Sequence, residues 1–456
     1  MRKSEPHTAV GNSVEHSDGM RNDLASRRAR IAVKARSNPS EQFSCLLHHL
    51  TPKLVEECLY KIPLNSAPGV DGLSVADARK NLSWILPPLM QQIHEGRYKA
   101  PPVRRVYIPK EGGQRPIGVP EVVDRALQAA AAKILNEIYE QDFLKCSLGF
   151  RPGLGCHNAL ATINELLFKH QFNFALEVDI RDFFGSLNHE WLRKFMSLRI
   201  GDERILKLID AWLVAGVMEN GKWEPGETGT PQGGSISPLL SNTYLHYVLD
   251  VWFERKIKRQ LRGRAHLVRY CDDFVLLFKD RTDLDTVKAL LQTRLGQFGL
   301  TIAEQKTHMT DLTLREKQGT ERRRMTFLGF SIYRGKARDG KRNKIVFRTE
   351  GKRFTRSKAK IKAKMHKLMH RPIEVQAQAI NAFLNGHYNY YGVAGNIDKM
   401  QELWHFVRHY WRRCLSQRSQ KGHVNWDAMM AILEKHPLIS PRIKIPYAKL
   451  PSYVRL

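Results

Sequence analysis

The stretch "RYCDDFVLLF", Arg269 to Phe278, places two adjacent aspartates in a run that otherwise reads as buried β-structure. The flanking apolar residues predict two strands, Leu267–Tyr270 and Val275–Phe278, so Asp272 and Asp273 fall at the tight connection between them. Burial and mutual repulsion both disfavour two charged carboxylates at such a place. A bound divalent cation would remove the difficulty, because it would neutralise the two charges.

A third carboxylate, Asp179, lies near the end of another predicted strand, "FNFALEVDI". If that strand lies beside the hairpin, three oxygen donors converge without histidine or cysteine, which suits a hard cation such as Mg²⁺. Two such ions about 4 Å apart stabilise the attacking and leaving oxygens of a phosphoryl displacement. The pattern therefore indicates nucleotidyl transfer or nuclease cleavage, although an Asp-Asp pair by itself is also typical of a polar turn.

The composition predicts a globular protein of two or three domains with a polyanionic partner. The chain has 456 residues, 42% of them hydrophobic, and 74 Lys and Arg against 45 Asp and Glu give a net charge of +29. An excess of positive charge this large favours binding to nucleic acid, and a basic surface that is merely solvated is the alternative. There is no apolar run long enough for a membrane span. The six scattered cysteines contain no C-x-x-C pair, which excludes an obvious zinc ribbon and fits a reducing compartment.

Strands and helices are interspersed without a steady β-α-β repeat, which predicts the α+β class with a central mixed or antiparallel sheet. The apolar spacing of Phe43, Leu46, Leu47 and Leu50 predicts a helix that starts near Glu41. Residues 103–120 predict two short strands joined by a glycine turn, and "FLGFSIY" (327–333) predicts one strand.

The two ends of the chain are polar and basic. Residues 1–40 are predicted to be a disordered basic arm, with an organellar transit peptide as the alternative, against which the acidic residues count. From about Gly351 the chain turns helical and strongly basic, which predicts a domain boundary and a surface that tracks a nucleic-acid strand rather than a merely solvated helix face. The candidate nucleic-acid-binding residues are Lys352, Arg353, Arg356, Lys358, Lys360, Arg408, Arg412 and Arg413.

A long ordered set of motifs resembles the reverse transcriptases encoded by group II introns. "YCDD" is similar to their Y-A-D-D box, "EVDIRDFF" (177–184) to their first carboxylate motif, and "TPQGGSISPLLSN" (230–242) to their Q-G-x-x-x-S-P motif. "IPKEGGQRPIGVP" (108–120) and "GFRPGLGCHNAL" (149–160) resemble their finger segments. The resemblance implies a right-hand polymerase with fingers and palm over 41–335, and a helical thumb and maturase domain (domain X) over 351–456.

The resemblance also implies roles for individual residues. Asp179 and Asp272 would hold two Mg²⁺ ions, with Asp273 completing the cluster and the Ile180 carbonyl as an extra ligand. Phe184 matches the aromatic residue that excludes a ribose 2′-hydroxyl, and core packing is its alternative role. The positions implied to bind the incoming nucleotide are Lys110, Arg115, Phe184, Gln232, Gly233 and Lys306.

The chain departs from the family pattern at three points. Cys271 replaces the usual alanine of the Y-A-D-D box, and a redox or metal role for this thiol is the alternative to a neutral replacement. Where the family often has G-F-F-D, residues 182–185 read D-F-F-G, so an acidic group moves by three positions. Up to Leu456 there is no cysteine- and histidine-rich endonuclease (HNH) segment, so we expect priming from an existing 3′-hydroxyl, such as a nascent strand at a replication fork.

The expected function is that of an RNA-directed DNA polymerase that copies intron RNA and assists the splicing and mobility of its intron. The expected partners are group II intron RNA, an RNA template with a DNA primer or target, and dNTPs, with no membrane and with a homodimer left open. We expect the protein in the bacterial cytoplasm, at the nucleoid when it acts on DNA. The alternatives are a related reverse transcriptase used in phage defence or CRISPR spacer acquisition, and a splicing cofactor that only binds RNA.

Overall fold

The computed structural model of the protein describes residue 26 and residues 28–110, 113–219, 221–226, 228–230, 233–313, 323–336, 340, 343–419 and 422–456. The chain forms two compact units, each built from separate segments. The first contains the described parts of Met1–Pro152, Ile180–Lys256 and Leu290–Ile302, and the second those of Gly153–Asp179, Ile257–Ala289 and Ala303–Leu456. In the described part of the chain, no helix is both long enough and apolar enough to cross a membrane.

The described helices and strands follow one another along the chain without a regular repeat. The helices are α1 (28–37), α2 (Pro52–Lys61), α3 (Val75–Lys80), α4 (Leu82–His94), α5 (Val122–Asp142), α6 (Cys156–Phe168), α7 (His189–Ser197), α8 (Glu203–Val214), α9 (Ser237–Leu245), α10 (Arg281–Gly296), α11 (Gly351–Lys367), α12 (Ile373–Tyr391), α13 (Ile397–Ser416) and α14 (Trp426–Lys435). The strands are β1 (Val103–Lys110), β2 (Gly113–Val119), β3 (Phe174–Val178), β4 (Val217–Glu219), β5 (Lys222–Glu224), β6 (Ala265–Tyr270), β7 (Asp273–Phe278), β8 (His308–Asp311), β9 (Met325–Phe327), β10 (Phe330–Lys336) and β11 (Asn343–Thr349).

The first unit contains helices and a small sheet with strand order β2-β1-β4-β5. Helix α5 is the centre of its core, because Leu127, Ile134 and Ile138 on this helix are completely buried. The predicted finger hairpin is present: β1 and β2 pair antiparallel, with Ile108 opposite Arg115.

The prediction of a disordered arm over residues 1–40 is wrong for its last part, since residues 28–37 form helix α1. Ile31 and Ala35 lie one helical turn apart and are both buried, so this segment has an apolar face to pack. The Ala35 carbonyl also accepts a hydrogen bond of 3.1 Å from the buried side chain of Arg199. Residues 1–25 and 27 lie outside the described part of the chain.

The helix predicted to start near Glu41 is also wrong. Only a 3₁₀ turn forms there, over Leu47–His49. The buried carboxylate of Asp202 accepts hydrogen bonds from the backbone amides of Leu46 and Leu47 at 2.7 and 2.9 Å. Those bonds orient the two amides toward a residue far away in the sequence, so the apolar residues are buried without an α-helix.

The second unit contains the central sheet, with strand order β6-β7-β3-β8 and antiparallel pairing throughout. A second sheet has the order β11-β10-β9. The segment "FLGFSIY" is not one strand, because a turn at Leu328 and Gly329, with φ of 50° and 75°, separates β9 from β10. The antiparallel sheet with separate helices confirms the α+β class.

Helices α11 to α14 pack around a common apolar core. Trp411 is completely buried in that core, and Trp404 packs against it partly buried. Helix α11 begins at Gly351, the position where the composition turns basic.

Candidate active site

The hairpin that carries the paired aspartates closes in two residues. Tyr270 pairs with Asp273, so Cys271 and Asp272 form the turn and Asp273 is the first residue of β7. Cys271 has a φ of +60°, a left-handed conformation that is uncommon for a residue with a side chain. The wholly buried Arg269 donates a hydrogen bond from Nη1 to the Cys271 carbonyl at 3.1 Å, which supports the turn.

Asp179 follows the last residue of β3 and lies beside this hairpin. Val178 pairs with Phe274 in the antiparallel register, so the next residue along β3 faces Asp273. The Asp179 carbonyl accepts a hydrogen bond of 2.8 Å from the Ala303 amide. This register brings together carboxylates that are distant in the sequence.

A lysine pairs with the first carboxylate. The Nζ of Lys306 lies 3.4 and 3.3 Å from the two carboxylate oxygens of Asp179. The lysine side chain is 60% exposed and that of Asp179 34% exposed, so solvent reaches both groups.

The carboxylates influence one another electrostatically. Desolvation of the Asp273 carboxyl group by the surrounding protein is the largest cause that raises its pKa, to about 6. The negative charges of Asp272 and Asp179 raise it further. The charges of Arg353 and Lys306 oppose that rise. Asp273 nevertheless lies at an exposed position of the strand, so a cation from solvent could reach the carboxyl group.

The donor set suits a hard cation, although the described residues contain no group of three or more His, Cys, Asp or Glu side chains arranged to hold a metal ion. The side-chain donors are carboxylate oxygens, and their mutual repulsion is what a divalent cation would relieve. Asp179, Asp272 and Asp273 are the residues that would hold it. Ile180, the further ligand implied by the resemblance, is buried and bridged to Ile302 in the first unit.

Glu177 is a further residue that supports the site, and the family motifs did not assign it a role. Its carboxylate is buried two residues before Asp179 and accepts hydrogen bonds from Thr310 Oγ1 at 2.8 Å and from the Thr326 amide at 2.7 Å. Glu177 therefore ties β8 and β9 to the strand that leads to the first aspartate. The signal in the sequence was a charged residue in the middle of a buried strand.

The loop that follows β5 belongs to the first unit. The Phe184 carbonyl accepts a hydrogen bond of 2.8 Å from the Thr230 amide, and the Phe184 ring is half-buried with its neighbour Phe183 at 5.5 Å. A Cβ on Gly233, which has a φ of +130°, would lie 2.3 Å from the Gly118 carbonyl oxygen on β2. Only glycine fits there, because the loop backbone touches the finger strand.

Two other residues implied to bind the nucleotide, Lys110 and Arg115, also lie in the first unit. Arg115 is exposed on β2, and Lys110 ends β1 opposite Gly113. Gln232 lies outside the described residues. The three aspartates and Lys306 belong to the second unit, in which the β3–β7 register sets Asp179 beside Asp273 and Lys306 pairs with Asp179.

The D-F-F-G order at residues 182–185 has a local explanation. A Cβ at Gly185 would lie 2.3 Å from Asp182 Oδ2, so the aspartate carboxylate occupies the space beside the glycine. The Asp182 carbonyl also accepts a hydrogen bond of 3.0 Å from the Gly185 amide. Asp182 and Gly185 therefore lie against each other within one turn, and a side chain at position 185 would collide with the aspartate.

The predicted nucleic-acid-binding residues differ in their surroundings. Lys358 pairs with Glu402 at 2.7 Å, and the guanidinium carbons of Arg408 and Arg412 lie 4.5 and 4.9 Å from the ring centres of Trp404 and Trp426. Both guanidinium groups therefore contact an aromatic ring, and their role in nucleic-acid binding stays a prediction. The exposed members of the set are Lys352, Arg353, Arg356, Lys360 and Arg413.

Comparison with known families adds independent information. Residues 108–332 match the reverse transcriptase (RNA-dependent DNA polymerase) family, and residues 354–431 match the group II intron maturase-specific domain. The chain is similar to Protein YkfC of Escherichia coli, with 32% identity over 290 residues that cover 56% of this chain and 76% of YkfC.

Two further proteins match this chain over a smaller share of their own length. The Group II intron-encoded protein LtrA of Lactococcus lactis subsp. cremoris is 34% identical over 235 residues, which cover 50% of this chain but only 38% of LtrA. The structure of telomerase from Candida albicans in complex with a fragment of telomeric RNA matches 75% of this chain and 60% of that chain, with 14% identity. Its TM-score of 0.44 is too low to add to the assignment. The two matched regions and the relatives show that this chain belongs to the group II intron-encoded reverse transcriptases, with a reverse transcriptase region followed by a maturase-specific domain.

Proposed function

We propose that this protein copies an RNA template into DNA by nucleotidyl transfer and assists the splicing and mobility of a group II intron RNA. The observation that carries the proposal is the strand register that sets Asp179 beside Asp273 at the closed end of the β6–β7 hairpin. This register lies within the region that matches the reverse transcriptase family.

The proposed catalytic residues are Asp179, Asp272 and Asp273, which would bind two Mg²⁺ ions. When bound, Mg²⁺ would stabilise negative charge on the attacking and leaving oxygens of the transfer. Asp273 must be ionised to contribute, and its raised pKa means that the free protein releases this proton only near pH 6. Lys306, which pairs with Asp179 at 3.3 Å, is proposed to lie near the leaving pyrophosphate.

The proposed nucleotide contacts come from the first unit. Arg115 and Lys110 would clamp the triphosphate, since a guanidinium binds phosphate oxygens in pairs. Phe184 would exclude a ribose 2′-hydroxyl, with Gln232 and Gly233 next to the nucleotide. These roles rest on the motif resemblance together with the packing of the Gly233 loop on β2.

The proposed partner of the helical region is the intron RNA itself. Recognition would run through the phosphate backbone and unpaired bases, because the major groove of an RNA helix is too narrow for side chains. The exposed basic residues of α11 and the net charge of +29 support this proposal. The proposed place of action is the bacterial cytoplasm, on a DNA target.

The decisive experiment compares Asp272→Ala and Asp272→Asn with the wild type in primer extension on an RNA template. Both variants should lose extension by at least about a hundredfold, because each removes a carboxylate that acts in the transition state. Binding of group II intron RNA should stay within a few-fold, since both variants leave the exposed basic residues of α11 unchanged. Asp285→Asn on α10, an exposed aspartate paired only with Arg281 at 3.8 Å among the described contacts, is the matched control and should extend normally.

Normal extension by Asp272→Ala would refute the catalytic assignment. Loss of intron RNA binding in the same variant would refute the separation of the catalytic and RNA-binding surfaces.

A further inference from the structure

Lys306 ends a short 3₁₀ turn, Glu304–Lys306, that is fixed to the backbone of Asp179. The Ala303 amide donates the hydrogen bond of 2.8 Å to the Asp179 carbonyl, and the Ala303 carbonyl accepts one of 2.9 Å from the Lys306 amide. The same carbonyl accepts a hydrogen bond of 3.0 Å from the Thr307 amide. Backbone contacts, and not charge alone, therefore hold the lysine beside Asp179.

The ammonium group of Lys306 faces both oxygens of the carboxylate. Its Nζ lies 3.4 Å from Oδ1 and 3.3 Å from Oδ2 of Asp179. Because the two distances are nearly equal, the nitrogen lies close to the plane that bisects the carboxylate. A metal ion that binds on this side of Asp179 must share the carboxylate with the ammonium group or displace it.

The ion pair is weak enough to give way to a divalent cation. The lysine side chain is 60% exposed and that of Asp179 is 34% exposed. Exposed ion pairs contribute little net stabilisation, whereas a divalent cation doubles the positive charge that acts on the carboxylate. A metal ion on Asp179 would also repel the ammonium group, so the two cations compete for one carboxylate.

The backbone of the carboxylate cluster is already in place while Lys306 holds Asp179. The β3–β7 register sets Asp179 beside Asp273. The described side chains nevertheless form no group of three or more His, Cys, Asp or Glu residues arranged to hold a metal ion. Metal binding therefore requires a rearrangement of side chains and not of strands.

We propose that the Lys306 ammonium group occupies the cation position on Asp179, and that a divalent cation binds there by displacing it. This inference rests on the proposed function, which makes Asp179 a ligand of Mg²⁺. Lys306 then sets the concentration of divalent cation that the site needs. The displaced ammonium group becomes available for the proposed contact with the leaving pyrophosphate.

The test compares Lys306→Met, Lys306→Arg and Asp179→Asn with a matched control, Lys288→Met, which removes an exposed lysine from α10 in the same unit. Mn²⁺ is the probe, because carboxylate sites that suit Mg²⁺ also accept it. Electron paramagnetic resonance of free Mn²⁺ gives the affinity of the full chain without nucleotide or nucleic acid, and competition gives that for Mg²⁺. Thermal melting checks that each variant is folded.

Lys306→Met should strengthen Mn²⁺ binding by about three- to tenfold, because it removes both the ion pair and the repulsion between the two cations. Lys306→Arg should weaken Mn²⁺ binding by about two- to threefold, because a guanidinium group can hold both carboxylate oxygens in paired hydrogen bonds. Lys288→Met has the same loss of charge and should bind Mn²⁺ as the wild type does.

Three results would overturn the proposal: unchanged or weaker Mn²⁺ binding by a folded Lys306→Met protein, tighter binding by Lys306→Arg, or an equal gain in Lys288→Met, which would indicate net charge without competition. Asp179→Asn separates this proposal from the proposed function. If Asp179→Asn weakens Mn²⁺ binding while both Lys306 variants bind as wild type, only the competition fails. If Asp179→Asn binds Mn²⁺ as wild type, Asp179 is not a metal ligand, and the proposed catalytic role of this residue fails as well.

Discussion

At the scale of single residues, Glu177 shows how a buried charge can organise a site without taking part in the chemistry. Burial of an unpaired carboxylate is costly, and here hydrogen bonds from the Thr310 hydroxyl and the Thr326 amide compensate for it. Because the donors belong to two further strands, the same bonds set those strands against β3. The register around Asp179 depends on this arrangement.

We expect Glu177→Ala to lower the free energy of unfolding by about 2–3 kcal/mol, because it leaves a buried amide and a hydroxyl without their acceptor. Thr310→Val removes only one partner and should cost about 1 kcal/mol. Urea unfolding followed by circular dichroism measures both. Equal stability of Glu177→Ala and wild type would contradict the bridging role.

At the scale of elements, helix α12 carries a histidine that burial keeps neutral. His387 is 7% exposed, its Nε2 has no hydrogen-bond partner among the described residues, and its ring lies 4.6 Å from that of Tyr391. Burial lowers the pKa of His387 from 6.5 to about 4. The unfolded chain therefore binds a proton at mildly acidic pH that the folded helix excludes.

The lowered pKa of His387 makes the folded protein less stable as the pH falls. The contribution of neutral His387 is fully present above pH 6.5, the ordinary value, and is lost as the pH falls toward 4. Between about pH 7 and 4.5 this single group should reduce the stability of the wild type by about 2–3 kcal/mol.

His387→Phe should remove that part of the acid sensitivity and keep an aromatic ring in the same place. Melting temperatures of both proteins across this pH range measure the difference. His266, whose pKa burial also lowers to about 4, is present in both, so it cancels in the comparison. Parallel curves for wild type and variant would show that His387 does not titrate as described.

At the scale of the whole molecule, the dominant property is the charge of +29. Binding of a polyanion then releases many counterions, so affinity should depend steeply on salt. If about six to ten phosphates are neutralised, affinity for group II intron RNA should fall by about 10³ to 10⁵ between 50 and 200 mM salt. Anisotropy titrations over this range measure the slope, and a flat response would refute electrostatic recognition.

The sequence alone determined the local features: the hairpin over residues 103–120, the helical region that begins at Gly351, and the order of the motifs that identify the family. Apolar periodicity, glycine turns and motif spacing are short-range patterns, and a strand or helix expresses them wherever it lies.

Only the tertiary structure decided the contacts between segments that are far apart in the sequence. Asp202 accepts hydrogen bonds from the Leu46 and Leu47 amides at the start of a 3₁₀ turn, where periodicity predicted a helix. The rings of Trp404 and Trp426 lie against Arg408 and Arg412, a contact that composition does not predict. The contact between Arg353 and Gly329 depends likewise on a hairpin turn and a helix start that meet only in the fold. The physical reason is that burial and pairing energies arise between residues far apart along the chain, and no local pattern records them.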